Sequence, residues 1–231
     1  MKKVLVLLLL VVFGVYLADV LFSLEFGKQF FTDGVKDFYL TKGPMDLKVS
    51  NTITAIIVNF RGFDTLGEVT VLFLATTAMG GILYKKRHKV GARTVLFPSS
   101  QIVMAGSKIL FPAIILLGIY VFVHGHLTPG GGFQGGTIVA TGFLLMLLAY
   151  QDYTVSHKVL TIVESFAGIT FVVIGLMGLI KGSTFLENFM PVGSLNNLFS
   201  GGLIPIIYIV VGLKVGAELS GLIYTALHEK D

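Results

Sequence analysis

The sequence contains no cysteine, which excludes disulfides, thiolate-held metal and cysteine-ligated Fe–S clusters within this chain. Charge is scarce as well. Only 13% of the 231 residues are charged, against roughly 25% in a soluble domain. Two catalytic signatures are missing. No Gly-Lys-Ser/Thr follows the glycine-rich string near residue 130, so there is no P-loop, and no His-Glu-x-x-His is present. Without a nucleophile–base constellation, an enzyme acting alone is the least supported reading, and no cofactor is expected in this chain. No internal repeat is evident, so the inverted-repeat signature of many secondary transporters is missing too.

What is present is apolar. Hydrophobic residues make up 54% of the chain, the mean hydropathy is +0.86, and the apolar residues come in long unbroken runs. A bilayer core of about 30 Å needs roughly 20 such residues per helix. The expected fold is all-α, a polytopic membrane helix bundle with about six spans: Lys3–Phe22, Thr65–Tyr84, Ile102–Val123, Phe133–Tyr150, Val159–Ile180 and Leu203–Leu227. The start, Met1-Lys2-Lys3 before Val4–Ala18, resembles a signal peptide, but small-x-small is poorly met and the run continues to Phe22, so it reads as an uncleaved first helix. Val49–Phe60 is apolar but too short to span, and reads as an interfacial or re-entrant helix.

The net charge of +4 reflects positive cytoplasmic loops rather than nucleic-acid binding. Lys2 and Lys3 precede the first span, and Lys85, Lys86, Arg87, Lys89 and Arg93 follow the second. Six alternating spans put both groups, and both termini, in the cytoplasm, with the neutral 23–50 stretch outside. The expected setting is a plasma membrane. A basic loop, Pro98 and Ser99-Ser100 divide the chain into a two-helix part, 1–90, and a four-helix part, 91–231.

Charges inside spans cost about 2.5–3.5 kcal/mol each on insertion scales, so each needs a partner, water or a function. The ion-path candidates are Glu68, Lys108, Glu164, Lys214 and Glu218. Lys214 is deepest, and Glu218 shares its face four residues on. Gly212, Gly216 and Ser220 form a small-residue stripe on the opposite side, which suggests that protein covers that helix on both sides and that partners lie beyond the chain. Two readings stand. The pair neutralises itself and fixes packing, with Glu164 and Lys108 snorkelling to the interface; or these groups form a relay for H⁺ or Na⁺.

Two strings are unusual. In Phe60-Arg61-Gly62-Phe63-Asp64-Thr65-Leu66-Gly67-Glu68, Gly62 can break a short segment from the next helix, Asp64 or Thr65 can cap that helix, and Glu68 falls in its first turn. In the functional alternative, Glu68 faces a polar cavity at a broken helix. In His124-Gly125-His126-Leu127-Thr128-Pro129-Gly130-Gly131-Gly132-Phe133-Gln134-Gly135-Gly136, three glycines after a proline make a tight turn, and Gly135 and Gly136 permit close helix contact. His124-x-His126 is too sparse for a metal site, since zinc takes three or four ligands. The histidines serve either the turn and its packing or proton sensing at the membrane surface.

The second string, from Gly125 to Gly136, resembles the hallmark of the MnhB/MrpB subunit of multisubunit Na⁺/H⁺ antiporters, over roughly 91–231. The first, from Phe60 to Glu68, resembles the C-terminal part of the large MrpA subunit, over roughly 1–90. The resemblance marks Arg61, Asp64, Glu68, His126, Pro129, Gly130, Gly131, Gly132, Gly135 and Gly136 as motif positions, and it does not extend to Lys214 or Glu218. The many earlier helices of MrpA are missing. Such a split is similar to archaeal membrane-bound hydrogenases and sulfane sulfur reductases, which carry an Mrp-like module beside a redox arm. The resemblance implies an ion-translocation subunit of such a complex or of a stand-alone antiporter. Its implied partners are other Mrp-like membrane subunits and hydrogenase-like Fe–S and catalytic subunits, along with lipid and Na⁺ or H⁺.

Overall fold

A computed structural model describes residues 2–23, 34–87, 99–150 and 152–228. Three expectations rest partly outside these residues: the neutral stretch 23–50, the boundary near residue 90, and the basic cluster at Lys89 and Arg93. The side chains of Lys85, Lys86 and Arg87 are likewise not described.

The chain forms two compact units, residues 1–38 and 39–231. The first contains helix α1 (Lys2–Ser23), whose apolar stretch runs from Val6 to Phe22. Its long aliphatic side chains are exposed all round, as suits a helix whose solvent is lipid or another protein. Helix α2 (Val35–Asp46) carries the chain from one unit into the other. It lies in the stretch read from sequence as an outer loop. Its polar composition gave no span signal, although Asp37 in its first turn suits the helix dipole.

In the second unit α2 is followed by a short broken helix. A single turn, α3 (Thr52–Thr54), runs on as π-helix from Ala55 to Phe60. At about 1.5 Å per residue it covers less than half of a 30 Å core. It therefore does not cross, and the count stays at six. Five longer helices follow: α4 (Gly62–Arg87), α5 (Gln101–Val123), α6 (Gly132–Ala149), α7 (His157–Lys181) and α8 (Ile204–His228). All five are long and apolar enough to span a bilayer. Helix α8 is the axis of the bundle, touching α4, α5, α6 and α7, while α5 packs on α6.

That arrangement corrects one expectation. Gly212 and Gly216 do face protein, but the protein is α5 and α6 of the same chain. A Cβ at Gly212 would meet Phe122, and one at Gly136 would sit 2.7 Å from the Gly212 carbonyl. Lys214 and Glu218 face α7 and α4 of the same chain. The coverage of α8 is thus internal and carries no argument for outside partners.

Candidate functional site

The start of α4 differs from the expected cap. The helix begins at Gly62, with Asp64 in its first turn and Glu68 in the second. Thr65 does not cap it; its hydroxyl donates to the Ile57 carbonyl at 2.5 Å, tying the π-helical stretch to α4. Ile57 lies in the last turn of the π-helical stretch, where helix carbonyls lack partners further along, so a nearby hydroxyl finds a ready acceptor. Arg61 and Asp64 form an exposed ion pair at 2.6 Å, of the kind that contributes little to stability. Gly62 leaves room for Leu186: a Cβ there would come within 2.9 Å of its Cδ1.

The glycine-rich string forms the turn between α5 and α6, and Tyr208 of α8 lies against it. A Cβ at Gly125 would sit 2.6 Å from Tyr208 Cε2, and one at Gly132 would sit 2.8 Å from the Tyr208 carbonyl. At Gly130 it would meet the Val121 carbonyl at 2.7 Å, at Gly131 the Gln134 side chain, and at Gly135 the Gly118 carbonyl at 2.6 Å. Pro129 is exposed at the turn. Each of these glycines marks a close approach. The turn is tied to α3: Asn51 donates its side-chain amide to the carbonyls of Gly125 (2.9 Å) and Thr128 (3.0 Å). The Thr54 hydroxyl donates to Gly125 at 2.7 Å and accepts from Tyr208 at 2.9 Å. Asn51, Thr54 and Tyr208 gave no motif signal, because their partners are remote in sequence.

His126 is fully buried, and neither ring nitrogen has a hydrogen-bond partner. Burial holds its pKa below the ordinary histidine value, against the opposite pull of the backbone at Asn197, Leu198 and Val123. No group of three or more metal-ligating side chains occurs among the described residues.

The ionic residues converge elsewhere. Lys214 and Glu218 are buried. The ammonium donates to Glu218 Oε2 at 2.8 Å and lies 3.8 Å from Glu164 Oε1 on α7. It also sits over the Phe73 ring of α4, 5.4 Å from the centroid. The other oxygen of Glu218 accepts from the Thr76 hydroxyl at 2.7 Å. Three helices thus bring two carboxylates, an ammonium and a hydroxyl together about 15–21 Å along α8 from Ile204, near mid-span.

Two cavities line the α4–α8 seam from opposite ends. One, of about 490 Å³, includes Thr76, His157, Thr161, Glu164, Glu218 and Thr225 in its wall. The other, of about 650 Å³, includes Thr65, Glu68, Leu72, Gln134 and Tyr208. On α8 the second stops at Val211 and the first resumes at Ala217, and Lys214 lies between them. Glu68 is therefore exposed to a separate cavity and is not in the cluster. Lys108 stands apart from both: it is exposed on α5, with its ammonium over the Tyr150 ring at 5.3 Å. His157, Thr76 and Thr161 were not singled out from the sequence. On α7 the spacing His157, Thr161, Glu164, Gly168 is a helical stripe that carried the signal; a Cβ at Gly168 would meet the Lys214 stem at 3.7 Å.

A bundle of long apolar helices with a buried ionic cluster defines a multi-pass membrane protein. The chain belongs to the family described as a domain related to the MnhB subunit of Na⁺/H⁺ antiporter, which matches residues 102–221. Residues 1–101 match the MbhE family, a component of MBH. The chain is 44% identical to a chain of the membrane-bound sulfane sulfur reductase, an archaeal respiratory membrane complex, with a TM-score of 0.78 and 98% of both chains covered. An uncharacterized protein of Methanocaldococcus jannaschii is 31% identical over 94% of this chain and 90% of its own length. A Na⁺/H⁺ antiporter subunit of Bacillus subtilis is 36% identical over 38% of this chain and 63% of its own. A chain of the Mrp complex from Dietzia sp. shares the fold, with a TM-score of 0.70 at 23% identity over 98% of this chain and 26% of that one.

Proposed function

We propose that the chain is an ion-conducting, non-catalytic subunit of an Mrp-type Na⁺/H⁺-translocating module within a respiratory complex of the sulfane sulfur reductase or membrane-bound hydrogenase kind. One observation carries this reading: Lys214 held between Glu164 and Glu218 where two cavities approach each other. Two carboxylates against one ammonium leave one negative charge when all three are ionised. An uncompensated buried charge costs several kcal/mol on the order of magnitude known for interiors, so the cluster favours one further monovalent cation, H⁺ or Na⁺. Glu68 would offer a carboxylate in the opposite cavity.

Both termini lie in the cytoplasm on this reading, which places His157 and Thr225 at the inner end and Glu68 at the outer. The partners are other Mrp-like membrane subunits and a soluble Fe–S arm. A stand-alone antiporter is the alternative setting. A scaffold that only seals the module is the rival role, and the 2.8 Å Lys214–Glu218 pair favours it, since that pair is neutral by itself.

The test is Glu218→Gln and Glu164→Gln in the assembled complex. Loss of ion transport at normal subunit stoichiometry is the expected result. Loss of assembly, or transport at the wild-type rate, would sink conduction and leave the scaffold.

A further inference from the structure

We infer that His157 loads protons into the cavity that leads to the ionic cluster, and that the ion taken up through this mouth is H⁺. The inference rests on the cluster being an ion path. His157 is the first residue of α7 and lines the same cavity as Glu164 and Glu218. Its Nδ1 lies 3.2 Å from the Thr161 hydroxyl, which also donates to the His157 carbonyl at 3.0 Å. Thr161 is four residues on and Glu164 three more, so all three share one face of α7. The cavity of about 490 Å³ has room for more than ten waters at about 30 Å³ each, enough to bridge the gaps between these groups.

The chemistry of the mouth selects the ion. Among its described residues the polar groups of the cavity mouth are imidazole and threonine hydroxyls, set among glycine and leucine, with no carboxylate before Glu164. Imidazole can bind and release a proton and is a poor partner for Na⁺, a hard cation that favours carboxylate and carbonyl oxygens. When His157 is protonated, Nδ1–H must donate to Thr161. Transfer begins when the Thr161 hydroxyl turns from the His157 carbonyl to water leading to Glu164: Nδ1 passes its proton to the Thr161 oxygen as that oxygen releases its own proton to the water. A proton gained by the imidazole from hydronium in bulk solvent is thereby delivered to the Glu164 carboxylate, and His157 is left neutral with its remaining proton on Nε2. The charged groups near it are Lys158, next in the chain and exposed, Glu164 on α7, and Glu218 with Lys214 on α8; the described α4 residues of the cavity wall are uncharged.

The experiment uses the whole complex in proteoliposomes, following proton uptake from pH 5.5 to 8.5 for the wild type, His157→Ala, His157→Asn and Glu218→Gln. Expected is a roughly hundredfold slowing in both His157 variants, the low end of what a positioned proton donor contributes. Millimolar imidazole should restore His157→Ala, because the small base fits the vacated mouth. Wild-type uptake in His157→Ala overturns the inference. So does a slow His157→Ala that imidazole leaves slow, or an Asn variant that restores uptake by keeping the hydrogen bond alone. Glu218→Gln at the wild-type rate sinks the reading of the cluster itself. An inactive Glu218→Gln beside an active His157→Ala sinks only the role of His157.

Discussion

Lys214 has one partner that helical spacing supplies and one that only packing supplies. Glu218 follows four residues later on the same helix; Glu164 arrives from α7. Removing one member of a buried pair strands a charge and costs about 3–5 kcal/mol, whereas replacing both with apolar residues of similar volume is near neutral. Lys214→Met should therefore lower the thermal stability of the complex in detergent, and Lys214→Met with Glu218→Met should recover much of it, because the remaining carboxylate, Glu164, is partly exposed to its cavity. Ion transport should stay abolished in both, which separates packing from conduction. His126 permits a second test. Its pKa is held low by burial, so the unfolded chain takes up a proton first. Stability is full above about pH 6.5, the unfolded value, and falls as pH drops below it toward the folded value. His126→Phe removes both unpartnered nitrogens, and the difference in unfolding midpoint between pH 5 and pH 8 should shrink.

At the scale of elements, the close contact of α6 with α8 is set by glycine. A Cβ at Gly136 would approach the Gly212 carbonyl at 2.7 Å and the Gly216 amide at 3.0 Å, and backbone cannot move aside as a side chain can. Gly136→Ala should cost about 1–3 kcal/mol, read as a lower unfolding midpoint. Gly106→Ala on α5, with nothing within 4 Å, should not lower it, since alanine favours helix by about 1 kcal/mol. The motif glycines were legible in the sequence as a string, but the reason for each was not. Gly125 is opposite Tyr208, 83 positions along the chain, and no local pattern shows that. The same holds for α2: a polar helix carries little hydrophobic period, so its stretch read as a loop.

For the whole molecule, the natural lack of cysteine makes the topology directly measurable. Thr225→Cys and Gln134→Cys line the two different cavities. A membrane-impermeant maleimide should label Thr225→Cys only from the cytoplasmic side and Gln134→Cys only from the outside. Labelling of both from one face would overturn the proposed orientation. Composition, run length and two motif strings were enough to establish an all-helical membrane bundle and its family, because lipid requires backbone bonds to be satisfied internally and unbroken apolar runs of this length do so as helices. They also singled out the costly charges one by one. Which of them meet was decided only by tertiary structure. Glu164 joins Lys214 and Glu218, Glu68 faces another cavity and Lys108 stands apart on α5, because helical spacing fixes a side chain's face but only helix packing determines what that face meets.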